Sequence, residues 1–180
     1  MSFETSFDDL ILVEGGYSDD PMDSGGKTCY GITEETAREA GYTGPMNALP
    51  MSEAKRIYRG RYWDSLRLDD VAALSGRIAN ELFDTGVNCG IGTAASFLQR
   101  SLNVFNNQQA HYLDVELTST VGPKTLESLR AFLNRRAPDG ETVLLRALNA
   151  LQGARYVRLA ETREKDEKFV FGWFLQRVKI

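Results

Sequence analysis

Residues 14–33 of the chain read Glu-Gly-Gly-Tyr-Ser-Asp-Asp-Pro-Met-Asp-Ser-Gly-Gly-Lys-Thr-Cys-Tyr-Gly-Ile-Thr. The five glycines and the proline of this stretch predict tight turns rather than the interior of a helix or a strand. Before the stretch, apolar residues at helical spacing predict a helix from Ser2 to Val13, and after it Thr33 is placed to cap a second helix. Glu14 therefore falls at the C-terminus of a helix, where the turns begin.

The position of Glu14 predicts an unusual acidity. The C-terminus of a helix carries a partial negative charge, and the apolar neighbours Leu10, Ile11 and Val13 add a cost for desolvating a carboxylate. Both effects raise the pKa of a carboxyl group, so that it stays protonated near neutral pH, as a general acid must. The alternative for Glu14 alone is a solvated glutamate at a helix end, and the residues that follow it favour catalysis.

The loop after Glu14 holds a second set of polar residues. Asp23 follows Glu14 by nine residues, and Thr28 follows Asp23 by five. This layout is typical of enzymes that cleave glycosidic bonds, which need one group to protonate the leaving oxygen and another to supply a nucleophile or an activated water. A turn-stabilising role is the alternative for Asp23. Asp19 and Asp20 are its weaker rivals, and both fit structural roles.

The stretch resembles the signature of glycoside hydrolase family 108, the N-acetylmuramidases of phages and prophages. The residues that carry the resemblance are Glu14-Gly15-Gly16-Tyr17, Asp20-Pro21, Asp23, Gly25-Gly26, Thr28 and Tyr30-Gly31-Ile32-Thr33. Their spacing is also similar to the Glu, Asp and Thr set of phage-type lysozymes, with Asp and Thr one residue closer together here. The resemblance implies lysozyme activity, the hydrolysis of the β-1,4 bond between N-acetylmuramic acid and N-acetylglucosamine in peptidoglycan.

The resemblance also implies roles for particular side chains. Glu14 is the general acid, and Asp23 orients or deprotonates water with help from the Thr28 hydroxyl. An inverting and a retaining mechanism both stay open at this point. The positions implied for substrate binding are Tyr17, Tyr30, Trp63, Asp64 and Asn88. For Trp63, packing in the core is an equal alternative.

The resemblance extends over nearly the whole chain. The positions that resemble the rest of the catalytic module are Tyr58, Tyr62-Trp63-Asp64, Leu82-Phe83-Asp84, Asn88 and Gly90. Those that resemble the predicted peptidoglycan-binding segment of the family are Leu98-Gln99, Leu102-Asn103, Gly122-Pro123-Lys124-Thr125-Leu126 and Gly172-Trp173. The chain departs at Asp114-Val115, where wall-binding repeats commonly have Asp-Gly. The implied organisation is a catalytic lobe over 1–92 and a helical peptidoglycan-binding lobe over 93–180, packed as one compact unit.

The resemblance further implies a phage or prophage endolysin that lyses the cell wall. The start Met-Ser-Phe-Glu lacks the basic head of a signal peptide, which predicts a protein that is cytoplasmic as synthesised and reaches the wall by a holin-type export route. The predicted partner is the glycan strand of peptidoglycan, bound by a monomer. The alternative is a non-catalytic wall-binding or secretion-associated protein that keeps the fold, and the presence of Glu14 argues against it.

Composition excludes several classes of protein. Apolar residues at 42% and charged residues at 26% indicate an ordinary globular chain. No apolar run reaches the ~18 to 20 residues that cross a bilayer, so no stable membrane insertion is predicted. Cys29 and Cys89 are too few for a disulfide framework and are predicted to be reduced, partly buried thiols.

Charge is unevenly distributed along the chain. Residues 1–90 hold 16 acidic and 8 basic side chains, a net charge of −8, whereas residues 91–180 hold 9 acidic and 13 basic side chains, a net charge of +4. This division argues against a nucleic-acid-binding protein and suits a second half that meets a polyanion. The alternative is that the arginines of that half lie on solvated helix faces.

Two motif look-alikes in the loop predict no site. Gly26-Lys27-Thr28 is similar to the end of a phosphate-binding loop, but Pro21 stands where that motif needs glycine, and no strand precedes it. The aspartates of the loop are similar to part of a calcium loop, but Tyr30 stands where its closing glutamate belongs. The sequence therefore predicts no metal and no cofactor, and it supports no role for His111 as a base or ligand.

The periodicity of the chain predicts an all-α protein, a lysozyme-like helical fold with one irregular Gly-rich loop. The features predicted after that loop are a helix from Thr33 to Gly41, a loop over 42–50, a helix capped by Ser52, a helix from Val71 to Phe83, a hinge-like boundary at Gly86, Gly90 and Gly92, a helix capped by Thr93, a short strand at Asp114 to Leu117, a helix opened by Gly122-Pro123 and a long helix over 139–164. The last aromatic residues are predicted to pack in the core rather than to form a sugar platform: Phe169, Phe171, Trp173 and Phe174.

Overall fold

The computed structural model describes residues 1–14, 16–19 and 26–178. Within these ranges the chain forms nine α-helices and one small three-stranded sheet, which confirms the predicted all-α class. The helices are α1 (Phe3–Glu14), α2 (Glu34–Glu39), α3 (Met51–Tyr58), α4 (Leu68–Ala72), α5 (Gly76–Cys89), α6 (Ile91–Phe105), α7 (Pro123–Arg135), α8 (Gly140–Thr162) and α9 (Glu167–Arg177). The strands are β1 (Tyr17–Ser18), β2 (Thr28–Cys29) and β3 (Ile32–Thr33). No helix of the described residues is long and apolar enough to cross a membrane.

The small sheet lies within the glycine-rich stretch. Strand β2 is its centre and pairs antiparallel with both β1 and β3. Tyr30 and Gly31 form the two-residue turn between β2 and β3, with φ angles of 52° and 72°. Two positive φ angles in such a turn match the twist of a hairpin. Thr33 then caps α2, because its side chain accepts a hydrogen bond from the backbone N–H of Thr36, which confirms that prediction.

Two predicted helix boundaries in the first half are wrong. Helix α3 begins at Met51, directly after Pro50, so Ser52 is inside the helix and is not its cap. The single helix expected from Val71 to Phe83 is broken into α4 and α5. The break occurs because Ser75 caps α5, where its hydroxyl oxygen accepts from the backbone N–H of Ile78 at 3.1 Å.

The glycines expected to form a hinge occupy a tight corner instead. Gly86 lies inside α5, where a side chain would meet Leu66. Gly90 has a φ angle of 89° and is the one residue between α5 and α6. Helix α6 therefore starts at Ile91, before Thr93, which is not its cap. The left-handed φ angle at Gly90 costs little without a Cβ atom, so the chain turns sharply there.

The prediction of a short strand at Asp114 to Leu117 is wrong, because that segment has no regular structure. Side-chain amides of α6 supply the hydrogen bonds that a neighbouring strand would provide. Asn103 donates to the carbonyl of Val115 and accepts from its N–H, both at 2.8 Å. The predictions for the next two helices are confirmed. Helix α7 begins at Pro123, after Gly122, and α8 covers most of residues 139–164.

One hydrophobic core joins both halves of the chain. At one end, the rings of Phe3, Trp63 and Phe83 meet edge to face with centroids 5.5 to 6.0 Å apart. At the other end, Phe105 and Phe132 stack at 5.6 Å. Edge-to-face and stacked pairs are the favoured arrangements of buried aromatic rings.

The expectation that the last aromatic residues pack in the core is wrong. None of the residues described in α9 is buried, and Phe169 and Phe171 are 49% and 78% exposed. Helix α9 lies on the outside of α8, where Trp173 contacts Tyr156 at a ring-centroid distance of 5.2 Å. The core is already closed by α8, which leaves the aromatic residues of α9 at the surface.

Candidate active site

Glu14 is the last residue of α1, as the sequence predicts. The buried side chains of Phe3, Phe7 and Leu10 anchor this helix in the core. The Glu14 side chain lies outside the described residues, as do Asp20 and Asp23, and their catalytic roles stay predictions. The fold therefore presents the backbone of the proposed acid on a rigid, well-packed helix.

Helices α1 and α5 lie side by side and run in the same direction. A side chain at Gly76, the start of α5, would collide with the backbone of the first residue of the chain. Further along, Leu10 and Asp84 line the same cavity, whose volume is about 70 Å³. Both helices rise ~1.5 Å per residue. This register brings the backbone of Glu14, four residues after Leu10, to about the level of Asn88, four residues after Asp84.

Thr28 lies on the central strand of the small sheet. It is half-buried, and its register partners are Ser18 on β1 and Thr33 on β3. A strand that is paired on both sides has its position fixed by two ladders of backbone hydrogen bonds. The sheet therefore fixes the backbone of Thr28 relative to the chain on either side.

Tyr17 lies on the edge strand β1 and is 44% exposed. Its hydroxyl donates to Asp19 Oδ2 at 3.2 Å. Partial burial and the neighbouring carboxylate raise the pKa of Tyr17. This bond gives Asp19 a structural partner, in agreement with its weaker standing against Asp23.

Tyr30 is half-buried, and its left-handed backbone conformation is unusual for an aromatic residue. Its carbonyl oxygen accepts a hydrogen bond of 2.9 Å from the hydroxyl of Tyr58, a buried residue of α3. The ring of Tyr58 packs edge to face on Phe7 of α1, at 5.7 Å. Tyr58 thus connects the helix that ends at Glu14 with the β2–β3 turn.

We expect Tyr58→Phe to lower both stability and lysis. The substitution leaves the Tyr30 carbonyl without this donor, so the free energy of unfolding should fall by about 1 to 3 kcal/mol and the lytic rate several-fold. Denaturant unfolding and turbidity loss of purified walls measure the two effects. Tyr42→Phe is the matched control, because it removes a similar bond to the Pro45 carbonyl at an exposed place. Equal behaviour of the two variants would contradict a positioning role for Tyr58.

Trp63 and Asp64 lie in a π-helical turn, Arg59–Asp64, that follows α3. Trp63 is 1% exposed, and its Nε1 donates to Asp69 Oδ1 at 2.8 Å. Its side chain is therefore part of the core, which corresponds to the core-packing alternative and leaves no ring face for a sugar. Asp64 is exposed and pairs with Arg59 at 3.3 Å. Successive side chains of a helical turn point in different directions, so the chain buries Trp63 and exposes Asp64 here.

Asn88 lies near the C-terminal end of α5. Its Nδ2 donates to the carbonyl of Asp84 at 2.9 Å, and its side chain lines a groove together with α9. Asp84 itself joins three helices, because it accepts from Arg177 of α9 at 2.6 Å and from Gln152 of α8 at 3.1 Å. Sequence reasoning did not identify this junction, since its members are far apart in the chain and no local pattern links them.

A second groove lies at the corner between α5 and α6. It has a volume of about 400 Å³ and is lined by Arg61, Tyr62, Ser65, Gly86, Val87, Gly90 and Ile91. Tyr62 contacts Tyr58 at a ring-centroid distance of 5.6 Å, which links this groove to the β2–β3 turn. The volume is within the usual range for ligand pockets. Tyr62 is the residue through which the sequence could have indicated this groove. It is part of the motif that resembles the catalytic module, but the sequence alone predicts no role for it.

Arginines of the two halves differ in their partners. In the first half, six arginines each pair with a carboxylate within 4 Å: Arg38, Arg56, Arg59, Arg61, Arg67 and Arg77. In the second half, six exposed arginines have no ion pair with any described residue: Arg100, Arg130, Arg135, Arg136, Arg146 and Arg158. Burial and the nearby Arg135 and Arg136 lower the pKa of His111. The positive charge of the second half is therefore largely uncompensated.

The two cysteines are free, as the sequence predicts. Cys29 is buried and Cys89 is half-buried, and burial raises the pKa of both thiols. A raised pKa lowers the thiolate fraction at neutral pH, so both thiols are poor nucleophiles. Neither cysteine is a candidate for the chemistry of the site.

Comparison with known proteins divides the chain at the corner between α5 and α6. Residues 7–90 match the model of the glycosyl hydrolase 108 family, and residues 93–178 match a model described as a predicted peptidoglycan domain. A solved structure, that of Brucella abortus SagA, is similar with a TM-score of 0.65 and 24% identity, over 99% of this chain and 96% of that one. At this level of identity, the similarity shows that the two proteins share a fold. No curated protein sequence matches the chain.

Proposed function

Since the chain belongs to the glycosyl hydrolase 108 family over residues 7–90, we propose that it cleaves the β-1,4 bond between N-acetylmuramic acid and N-acetylglucosamine. The family and the peptidoglycan domain that follows make the protein a glycoside hydrolase that acts on peptidoglycan. The observation that carries the choice of bond and of acid is the place of Glu14 at the end of α1, directly before the chain enters the small sheet.

Glu14 is the proposed general acid. The C-terminal end of α1 places partial negative charge next to its backbone, which favours the protonated carboxyl group near neutral pH. The protonated group donates its proton to the glycosidic oxygen as the bond breaks. A packed helix suits this role, because a general acid must be held within hydrogen-bond reach of the oxygen that it protonates.

Asp23 is the proposed second group, assisted by the hydroxyl of Thr28. Asp23 activates a water or attacks the sugar itself on the face opposite Glu14, and the central strand β2 supports the position of Thr28. The two mechanisms need different geometries. Carboxyl groups about 6.5 to 9.5 Å apart leave room for water and give inversion, whereas a separation of about 5 to 5.5 Å gives a covalent intermediate and retention.

Tyr17, Tyr30 and Asn88 are the proposed contacts to the glycan. Tyr17 is exposed on β1, and Tyr30 is in the β2–β3 turn. The register of α1 and α5 brings Asn88 to about the level of the end of α1. Exposed Asp64 stays in the proposed set, whereas the burial of Trp63 supports a structural role for it. Such a mixture of aromatic faces and a few polar groups is typical of ligand sites.

Two lobes that share one core are part of the proposal. Residues 1–92 form the catalytic lobe and residues 93–180 the peptidoglycan-binding lobe, and the family boundaries support this division. An endolysin role, with cytoplasmic synthesis and holin-type release of a monomer to the wall, completes the proposal. The resemblance of residues 14–33 to the muramidases of phages and prophages supports it.

Mass spectrometry of digested peptidoglycan tests the proposed bond. A muramidase leaves N-acetylmuramic acid at the reducing ends of its products, whereas a glucosaminidase leaves N-acetylglucosamine and an amidase leaves the glycan intact. We expect reducing-end N-acetylmuramic acid. Digests without new reducing ends, and a zymogram without clearing, would favour the non-catalytic alternative.

Wall binding should depend on salt if the uncompensated arginines dock an anionic polymer. We expect binding to purified walls to weaken as ionic strength rises from about 0.01 to 0.15 M, because the Debye length falls from about 30 to about 8 Å. The double variant Arg135→Gln/Arg136→Gln should bind less and depend less on salt. Arg56→Gln is the control, because this exposed arginine is already paired with Glu53. Salt-insensitive binding would favour solvated helix faces.

A further inference from the structure

We propose that the groove between the end of α5 and helix α9 binds the glycan strand beside the cleaved bond and sets the affinity of the enzyme for peptidoglycan. The groove is lined by Asn88, Lys168, Phe169, Gly172, Trp173, Gln176 and Arg177, and its volume is about 380 Å³. A volume of this size is within the range of small-ligand sites. The inference rests on the proposed function, since it concerns the same substrate.

The position of the groove follows from the parallel register of α1 and α5. Leu10 and Asp84 line one cavity, so the backbone of Glu14 and Asn88 lie at about the same level. Asn88 is also the residue that α5 contributes to the groove. A polymer cleaved at the end of α1 therefore has the groove beside it. The groove also combines a residue of the hydrolase segment with residues of the peptidoglycan segment.

Two aromatic side chains form a platform along one wall of the groove. Phe169 and Trp173 are one helical turn apart on α9, with ring centroids 6.2 Å apart and ring planes within 21°. Phe169 is 49% exposed, and Trp173 is held from behind by Tyr156. The C–H faces of pyranose sugars are apolar and pack on exposed aromatic faces. Because the two ring planes are nearly parallel and both residues line the groove, they present one continuous apolar wall to a sugar.

Polar groups of the groove match the substituents of peptidoglycan. Asn88 uses its Nδ2 in a bond to Asp84, and its Oδ1 accepts no hydrogen bond from the described residues, so it is available to an N-acetyl N–H. Exposed Gln176 offers a second amide. Lys168 lies 4.6 Å from the centroid of Phe169 and has no ion pair with any described residue. Its ammonium group suits a carboxylate of the stem peptide.

Gly172 leaves the middle of the groove open. It lies between Phe169 and Trp173 in sequence, and a Cβ atom there would meet nothing within 4 Å. Glycine inside a helix costs roughly 0.5 to 1 kcal/mol relative to alanine. A Cβ atom fits at this position without a clash, and methionine favours a helix over glycine, so Gly172→Met adds a side chain at the groove without threatening folding.

The experiment measures binding of soluble glycan-peptide fragments to the full chain carrying Glu14→Gln, followed by tryptophan emission. Trp63 is buried, so Trp173 reports on the groove. We expect Phe169→Ala and Gly172→Met each to raise the Kd about tenfold, as the loss of a central aromatic contact does. Phe171→Ala is the matched control on the same helix, because Phe171 is 78% exposed and does not line the groove.

Two outcomes would overturn the inference. One is unchanged affinity in both groove variants. The other is an equal loss in Phe171→Ala and Phe169→Ala, which would assign binding to the general apolar surface of α9. Failure of the proposed function would show separately, as wild-type digests that lack reducing-end N-acetylmuramic acid while the groove variants still differ from the control in binding.

Discussion

Glu14→Gln should remove lysis of purified walls while leaving folding and wall binding nearly intact. The amide has almost the volume of the carboxyl group but has no proton to give, and general acid catalysis contributes about 10²- to 10⁴-fold to a rate. Because Glu14 closes a helix anchored by Phe3, Phe7 and Leu10, the substitution leaves that anchoring unchanged. Turbidity loss of purified walls measures the effect.

The control for Glu14→Gln is a pull-down on walls together with a thermal melt, both of which should match wild type. Glu4→Gln, at the other end of α1, is a matched variant that should keep full activity. Residual lysis by Glu14→Gln within about tenfold of wild type would fall short of the usual contribution of a general acid and remove Glu14 from the mechanism.

Asp23→Ala should cost about 10²-fold or more in rate if Asp23 activates the attacking water. Added azide should restore part of the activity, because a small anionic nucleophile fits the space left by the carboxylate. The azide product has the same anomeric configuration in both mechanisms, because no covalent intermediate forms without the Asp23 carboxylate. The anomer first released by the wild-type enzyme distinguishes them, since inversion gives the α product and retention the β product.

Asp19→Ala and Asp20→Ala are the controls for Asp23. Asp19 already accepts a hydrogen bond from Tyr17, so its loss should act through stability, by about 1 kcal/mol, and leave catalysis largely unchanged. An active Asp23→Ala enzyme without azide would reduce Asp23 to a turn-stabilising residue. Glu14 would then act with another partner from the same loop.

Burial of one tryptophan in the core and placement of the other, half-buried, in a surface groove change where the substrate is expected to bind. Trp63 matches the family motif but lies in the core, bonded to Asp69. Trp173, in the peptidoglycan segment, faces a groove with Asn88 of the hydrolase segment. The aromatic groove that we propose for glycan binding is therefore on the last helix, and the motif tryptophan supports the π turn from inside.

The sequence by itself determined the features that depend on neighbours along the chain. The end of α1 at Glu14, the cap of α2 at Thr33 and the start of α7 at Pro123 all follow from side chains and backbone groups within a few residues. Such contacts form within a single turn of helix, so local pattern is enough to predict them. The all-α class follows in the same way from periodicity.

Only the tertiary structure decided the features that depend on distant partners. The amides of Asn103 satisfy Val115 in place of a strand, and Arg177 reaches Asp84 across 93 positions of sequence. Helix α9 has apolar residues that suit a core, yet α8 closes the core before it, so Phe169 stays at the surface. Whether an apolar side chain is buried depends on which other elements pack against it. The spacing of residues within one segment does not specify that packing.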